Sequence, residues 1–66
     1  MTNEAAITRI TEKLKTVRRN NDSTPNGNAI HGYYKSLRTT MMANGMNHTE
    51  AYRTAWFTIQ TLVKAL

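Results

Sequence analysis

The side chains that could act in acid–base or nucleophilic catalysis are few and are spread along the sequence. They are His31, His48, Ser23, Ser36, Glu4, Glu12, Asp22 and Glu50. His31 and Ser36 stand five residues apart, so on a helix their side chains point in different directions. Neither a nucleophile–base pair nor a pair of adjacent carboxylates follows from these spacings. We therefore predict that the chain has no catalytic residues and is not an enzyme.

The sequence offers equally little for a metal or a cofactor. It contains no cysteine, and neither His31 nor His48 has a second histidine four residues away, the spacing that places two ligands on one helical face. Gly27, Gly32 and Gly45 match no phosphate-binding loop. We expect no metal ligands, no cofactor and no small-molecule substrate.

The charge balance indicates which partners the chain would attract. Nine lysines and arginines stand against four carboxylates, which gives a formal net charge of +5 at pH 7. This balance favours nucleic acid or an acidic protein surface as the partner. A basic surface that only keeps the protein in solution would give the same balance, so the charge does not decide between them.

One group of basic side chains follows helical spacing in the middle of the sequence. His31, Lys35 and Arg38 are related by i, i+4 and i+7, so on a helix they form one stripe, beside Tyr34. Basic groups next to an aromatic ring can bind phosphates and stack on a base or on a partner's ring. The alternative is that the stripe is the solvated face of an amphipathic helix.

A second group of basic residues surrounds the polar side of the first predicted helix. Its members are Arg9, Lys13, Lys15, Arg18 and Arg19. They form no single line, and such a diffuse positive field suits phosphate contacts without recognition of sequence. We take Arg18 and Arg19 from this group as candidate binding residues.

Phe57 lies away from the apolar side of its helix when residues are placed at about 100° intervals. Its helical neighbours there are Arg53, Gln60, Thr61 and Lys64. An exposed aromatic residue among basic groups is a common interface anchor, which makes Arg53, Phe57 and Lys64 candidates for partner binding. The alternative is that Phe57 belongs to the core, because the central helix of a bundle can have two buried faces.

Apolar periodicity predicts three helices that would position these side chains, over about 4–19, 28–43 and 48–65, with Asn28 as the cap of the second. Residues 20–27, nearly all turn formers, form a loop. The apolar positions are Ile7, Ile10, Leu14 and Val17 in the first helix, Ile30, Tyr33, Tyr34, Leu37 and Met41 in the second, and Tyr52, Ala55, Trp56, Ile59, Leu62, Val63 and Leu66 in the third. The third stripe is the broadest, so we predict that this helix is the principal core helix.

Local signals predict where the helices begin and end. Thr2 or Asn3 can cap the first helix. Gly45 suits the left-handed position after the second helix, and Asn47 with Glu50 resembles a capping box at the start of the third. Helices joined by so short a connection form a tight αα-hairpin. The whole chain is thus predicted to be one all-α domain, a small three-helix bundle with a long loop between helices 1 and 2.

The connection around Gly45 can also be tested as the turn of a helix-turn-helix DNA-binding motif. That pattern places apolar residues four or five before, one before and nine after the turn glycine. These positions hold Thr40, Met41, Asn44 and Thr54, of which only Met41 is apolar. The third helix is also the most apolar, whereas a recognition helix needs a polar face for base edges. A standard motif is disfavoured, and only a divergent one remains open.

Two functional hypotheses follow from these observations. The first is a small basic protein that associates with nucleic acid through phosphate contacts. The alternative is an inhibitor or adaptor that docks on an acidic protein surface, with Phe57, Trp56 or Tyr34 as anchor. A homodimer through the first helix is a third interpretation.

The size and charge also suggest a setting for the protein. A short basic chain without enzyme motifs is typical of accessory proteins of phages or plasmids. Because the sequence shows neither a signal-peptide pattern nor a membrane-spanning run, we expect a cytoplasmic location and no membrane partner.

Overall fold

The computed structural model describes residues 1–16 and 27–65 of the chain. Within these residues the backbone forms three α-helices and no strand. The helices are α1 (Asn3–Leu14), α2 (Gly27–Ala43) and α3 (His48–Lys64). The predicted all-α three-helix architecture is therefore confirmed. Nearly all of the predicted loop and the last three positions of the predicted first helix lie outside the described residues.

α1 begins and ends on local hydrogen bonds. Thr2 is the N-cap, and its Oγ1 accepts from the backbone N–H of Ala5 at 3.0 Å. The predicted continuation beyond Leu14 is wrong over the next two residues, where the helix has already ended. Thr16 accounts for this, since its backbone N–H and its hydroxyl both donate to the carbonyl of Lys13, at 3.1 and 3.0 Å. Bonds to the residue three positions back tighten the last turn and compete with a continued α-helix.

α2 begins one residue before its predicted cap. The helix starts at Gly27, so Asn28 lies inside the first turn and is not the N-cap. Gly32 lies within the helix, and a Cβ built there would meet nothing within 4 Å. No neighbouring backbone approaches Gly32 closely, so its effect is only the intrinsic loss of about 1 kcal/mol relative to Ala.

The end of α2 has the predicted glycine cap. Gly45 adopts a φ of 101°, in the left-handed region that favours glycine. The N–H of Met46 donates to the carbonyl of Met41 at 3.0 Å, and the N–H of Gly45 donates to the carbonyl of Met42 at 3.1 Å. These two bonds define a Schellman motif, which turns the chain sharply towards α3.

Two asparagines hold the helix ends in place. Asn47 caps α3 as predicted, and its Oδ1 accepts from the backbone N–H of Glu50 at 2.9 Å. At the end of α2, Asn44 Nδ2 donates to the backbone carbonyl of Met1 and to Oδ1 of Asn3, both at 2.9 Å. The start of α1 is thereby tied to the far end of α2, which makes the two helices antiparallel.

The core forms where α2 packs against both other helices, more extensively against α3 than against α1. Its buried members are Ala6, Ile10, Leu14, Tyr34, Leu37, Met41, Ala51, Ala55 and Ile59. The prediction that the third helix is the principal core helix is wrong, because α2 lies between the other two. The buried side of α1 faces α2, so its Ile10 and Leu14 are not available for the dimer predicted through that helix.

α3 contributes a narrower apolar stripe than its sequence predicts. Ala51, Ala55 and Ile59 are fully buried, whereas Tyr52 and Trp56 are 51% and 41% exposed. Two alanines one turn apart let the backbones of α2 and α3 approach closely. The larger Tyr52 and Trp56 therefore lie at the edge of the contact, and their predicted place in the core is corrected. None of the described helices is long and apolar enough to cross a membrane.

Candidate nucleic-acid interface

The ring of Tyr34 on α2 is the centre of a cluster of aromatic and basic side chains. The ring centroids of Tyr52 and Trp56 on α3 lie 5.9 and 5.4 Å from that of Tyr34, both edge to face. The His31 ring centroid lies 5.9 Å away, and the guanidinium carbon of Arg38 lies 5.3 Å from the Tyr34 centroid. One buried ring thus contacts four side chains from two helices.

The side chains around Tyr34 differ in how far they reach into solvent. Tyr34 itself is only 4% exposed, whereas Tyr52, Trp56 and His31 are exposed and Arg38 is half-buried. Edge-to-face aromatic pairs add about 0.5–1.5 kcal/mol each beyond the area that they bury. Tyr52 and Trp56 are therefore oriented by Tyr34 while part of each ring remains open to a ligand.

Arg38 is held by its aromatic neighbour Tyr34. Its Nη1 donates to the hydroxyl oxygen of Tyr34 at 3.3 Å, and its guanidinium carbon lies near that ring. Lys35 is exposed on the same stripe of α2, and α2 contains no Asp or Glu. In the described part of the chain one ion pair forms, between Lys15 and Glu12 of α1 at 3.4 Å. Among the residues that the structure describes, no carboxylate therefore neutralises the positive charges of Lys35 and Arg38.

We call this surface the aromatic–basic face. It consists of His31, Lys35, Arg38, Tyr52 and Trp56. Three of these residues belong to the stripe predicted from the sequence. Tyr52 and Trp56 were predicted to lie in the apolar stripe of the third helix, and Trp56 was also named as an anchor for a protein partner. The apolar spacing of α3 gave no signal for their exposure, because residues at the edge of a stripe have the same periodicity as residues at its centre.

An apolar groove of about 220 Å³ adjoins this face. It is lined by Ile30, Trp56, Ile59, Gln60, Val63 and Lys64. Trp56 therefore belongs both to the aromatic–basic face and to the groove wall, and Lys64 adds a positive charge there. The groove extends the apolar contact that a ring stacked on Trp56 could make.

A second groove, of about 230 Å³, separates α1 from α2 and is more polar. Arg9 and Lys13 line it from α1, and Tyr33 and Ser36 from α2. Within the two described ranges, none of these four side chains has a hydrogen-bond or ion-pair partner. The sequence placed Arg9 and Lys13 in a diffuse field, whereas the fold places both along one groove, opposite two hydroxyls.

Phe57 lies on the opposite side of α3 from the core. It is 71% exposed, so the alternative that it belongs to the core is wrong. Arg53 and Lys64, its predicted neighbours, are exposed as well. This outer surface of α3 is distinct from the aromatic–basic face, so the fold does not unite all the predicted binding residues in one site.

The three remaining predicted binding residues are Tyr34, Arg18 and Arg19. Tyr34 was predicted to be an anchor for a partner, but its ring is buried, so it supports the face from below and cannot insert into another molecule. Arg18 and Arg19 lie outside the described residues. Among the described residues, no group of three His, Cys, Asp or Glu side chains could hold a metal ion.

Comparisons with protein families, with curated proteins and with solved structures find no match for this chain.

Proposed function

We propose that this chain is a non-enzymatic protein that binds nucleic acid through phosphate contacts and prefers unpaired strands. The observation that supports this is the aromatic–basic face, on which exposed Tyr52 and Trp56 lie beside Arg38 around one buried ring. Aromatic rings of this kind stack on unpaired bases, and neighbouring cations neutralise the backbone phosphates.

Two contributions to the free energy of binding can be separated on this face, one from phosphate contacts and one from base stacking. Lys35 and Arg38 replace condensed counterions along the phosphate backbone, which makes affinity fall steeply with salt. Tyr52 and Trp56 stack on bases whatever their identity, so sequence preference is weak. In a duplex the bases are already stacked on each other, and only the phosphate term remains. A nucleic-acid partner would agree with the cytoplasmic location expected from the sequence.

The groove between α1 and α2 extends the positive surface beyond this face. Arg9 and Lys13 have no carboxylate partner in the described part of the chain, and they lie across α2 from Lys35 and Arg38. A strand that bends around α2 can contact both pairs of cations. A short oligonucleotide would reach only one of these two pairs of cations. Affinity should therefore rise with strand length by more than the additional stacked bases alone would contribute.

The test is fluorescence anisotropy of a labelled single strand and of a duplex of the same length, at low and at physiological salt. Trp56→Ala should weaken single-strand binding by about 5- to 140-fold, because stacking on an aromatic residue contributes about 1–3 kcal/mol per base. The duplex measured with the same variant is the matched control, and its affinity should stay unchanged. Absence of binding to either probe at low salt would contradict the proposal.

Docking on an acidic protein surface is the second candidate. The apolar groove beside Trp56 favours it, since an anchor next to a groove with basic residues around it is typical of protein interfaces. This function would be preferred if neither nucleic-acid probe binds while wild-type protein, but not the Trp56→Ala variant, retains an acidic protein from a lysate.

A further inference from the structure

The outer surface of α3 carries an exposed aromatic residue midway between two opposite charges. Phe57 is 71% exposed. Glu50 and Lys64 are exposed too, and each lies seven residues from Phe57, one towards either end of the helix. Residues seven apart lie almost on one line along a helix. We call the line of Glu50, Phe57 and Lys64 the α3 seam.

The order of charges along the α3 seam is complementary to the same order read backwards. When two copies of α3 lie antiparallel and cross at Phe57, Glu50 of each copy comes opposite Lys64 of the other. The two Phe57 rings then meet on the two-fold axis. Arg53, four residues before Phe57, comes level with Thr61 of the other copy, and the nearest cation there is Lys64, which is the residue paired with Glu50.

A parallel pairing of the same surface would be repulsive. Each of Glu50, Arg53 and Lys64 would then face its own counterpart, which places three pairs of like charges along one contact. None of these three residues has an ion-pair partner within the described part of the chain. The charges therefore select the antiparallel register, and a two-fold contact of this kind closes on itself and yields a dimer.

We propose that a second copy of this chain covers the α3 seam, in an antiparallel pair centred on Phe57. The contact is small, with one aromatic anchor and two ion pairs, so the dimer forms reversibly with protein concentration. The aromatic–basic face stays open, because it lies around Tyr34 on the flank of α3 and on α2. A dimer would present two such faces and bind long strands more tightly than a monomer.

Sedimentation velocity over a wide range of protein concentration, without nucleic acid, tests this dimer. Wild-type protein should shift from monomer to dimer as the concentration rises. E50K gives the seam positive charge at both ends, and K64E gives it negative charge at both ends. Each variant alone should dissociate at least tenfold more readily, while an equimolar mixture of the two should form a heterodimer as stable as the wild-type dimer.

Further variants separate this contact from other causes of association. Phe57→Ala should weaken the dimer at least tenfold, whereas Lys35→Glu, which makes the same charge change away from the seam, should leave it unchanged. Circular dichroism checks that each variant keeps its helices. A strict monomer at every concentration, or a mixture of E50K and K64E that stays monomeric, would overturn the proposal. Neither result depends on whether the protein binds nucleic acid.

Discussion

Removing the charges of Lys35 and Arg38 isolates the phosphate term of binding. The double variant K35Q/R38Q does this and keeps polar side chains at both positions, although glutamine is shorter than arginine and does not keep the hydrogen bond that Arg38 donates to the Tyr34 hydroxyl at 3.3 Å. Log affinity falls linearly with log salt concentration, and each phosphate contact on a single strand makes this fall steeper by about 0.7. Losing two contacts should therefore make the slope less steep by about 1.4.

This change in slope can be measured directly. Between 50 and 200 mM salt, a fourfold change, a slope difference of 1.4 means that wild-type affinity falls about sevenfold more than that of the double variant. Anisotropy titrations at four salt concentrations resolve such a difference. Lys15→Gln is the matched control, because Lys15 follows the end of α1, is paired with Glu12 and should leave the slope nearly unchanged. A double variant with the wild-type slope would refute the assignment of these two residues as phosphate contacts.

The remaining predictions concern the fold and are read from thermal unfolding. Gly45→Ala should lower the free energy of unfolding by about 1–2 kcal/mol, because alanine is strained at a φ of 101°. Gly32→Ala should raise it by up to about 1 kcal/mol, because the added methyl group enters open space beside α2. A shift in the same direction for both variants would contradict this account. Leu37→Ala should lose about 2–5 kcal/mol because Leu37 is fully buried. At a concentration at which the protein is monomeric, Phe57→Ala should change the free energy of unfolding by less than about 0.5 kcal/mol, because this side chain is 71% exposed. A loss there as large as that of Leu37→Ala would show that Phe57 is packed within the monomer.

The ends of the helices could be predicted from the sequence where the signal was local. The cap by Asn47 and the turn at Gly45 depend on residues that are neighbours in the chain, and both form as predicted. The end of α1 was missed, although its cause is equally local. The two hydrogen bonds from Thr16 to Lys13 compete with the helix, and apolar periodicity does not register that competition.

The depth at which side chains pack could not be predicted in the same way. Ala51 and Ala55 decide how closely α3 approaches α2, and this depends on which residues of α2 face them. Tyr52 and Trp56 share the period of the core residues but stand at the edge of the contact. The face was therefore half predicted, through the charged stripe of α2. Its aromatic half required the geometry of two helices together.

The buried ring of Tyr34 makes folding and the proposed ligand binding depend on the same atoms. Because Tyr52 and Trp56 are already oriented against it, little rotational freedom is left to lose when a ligand settles on them. A ligand that binds these rings must also raise the melting temperature of the protein, because it binds the folded state and not the unfolded chain. A change at Tyr34 would alter stability and affinity at once. New binding preferences could therefore arise through the exposed members of the face more readily than through the residue that supports them.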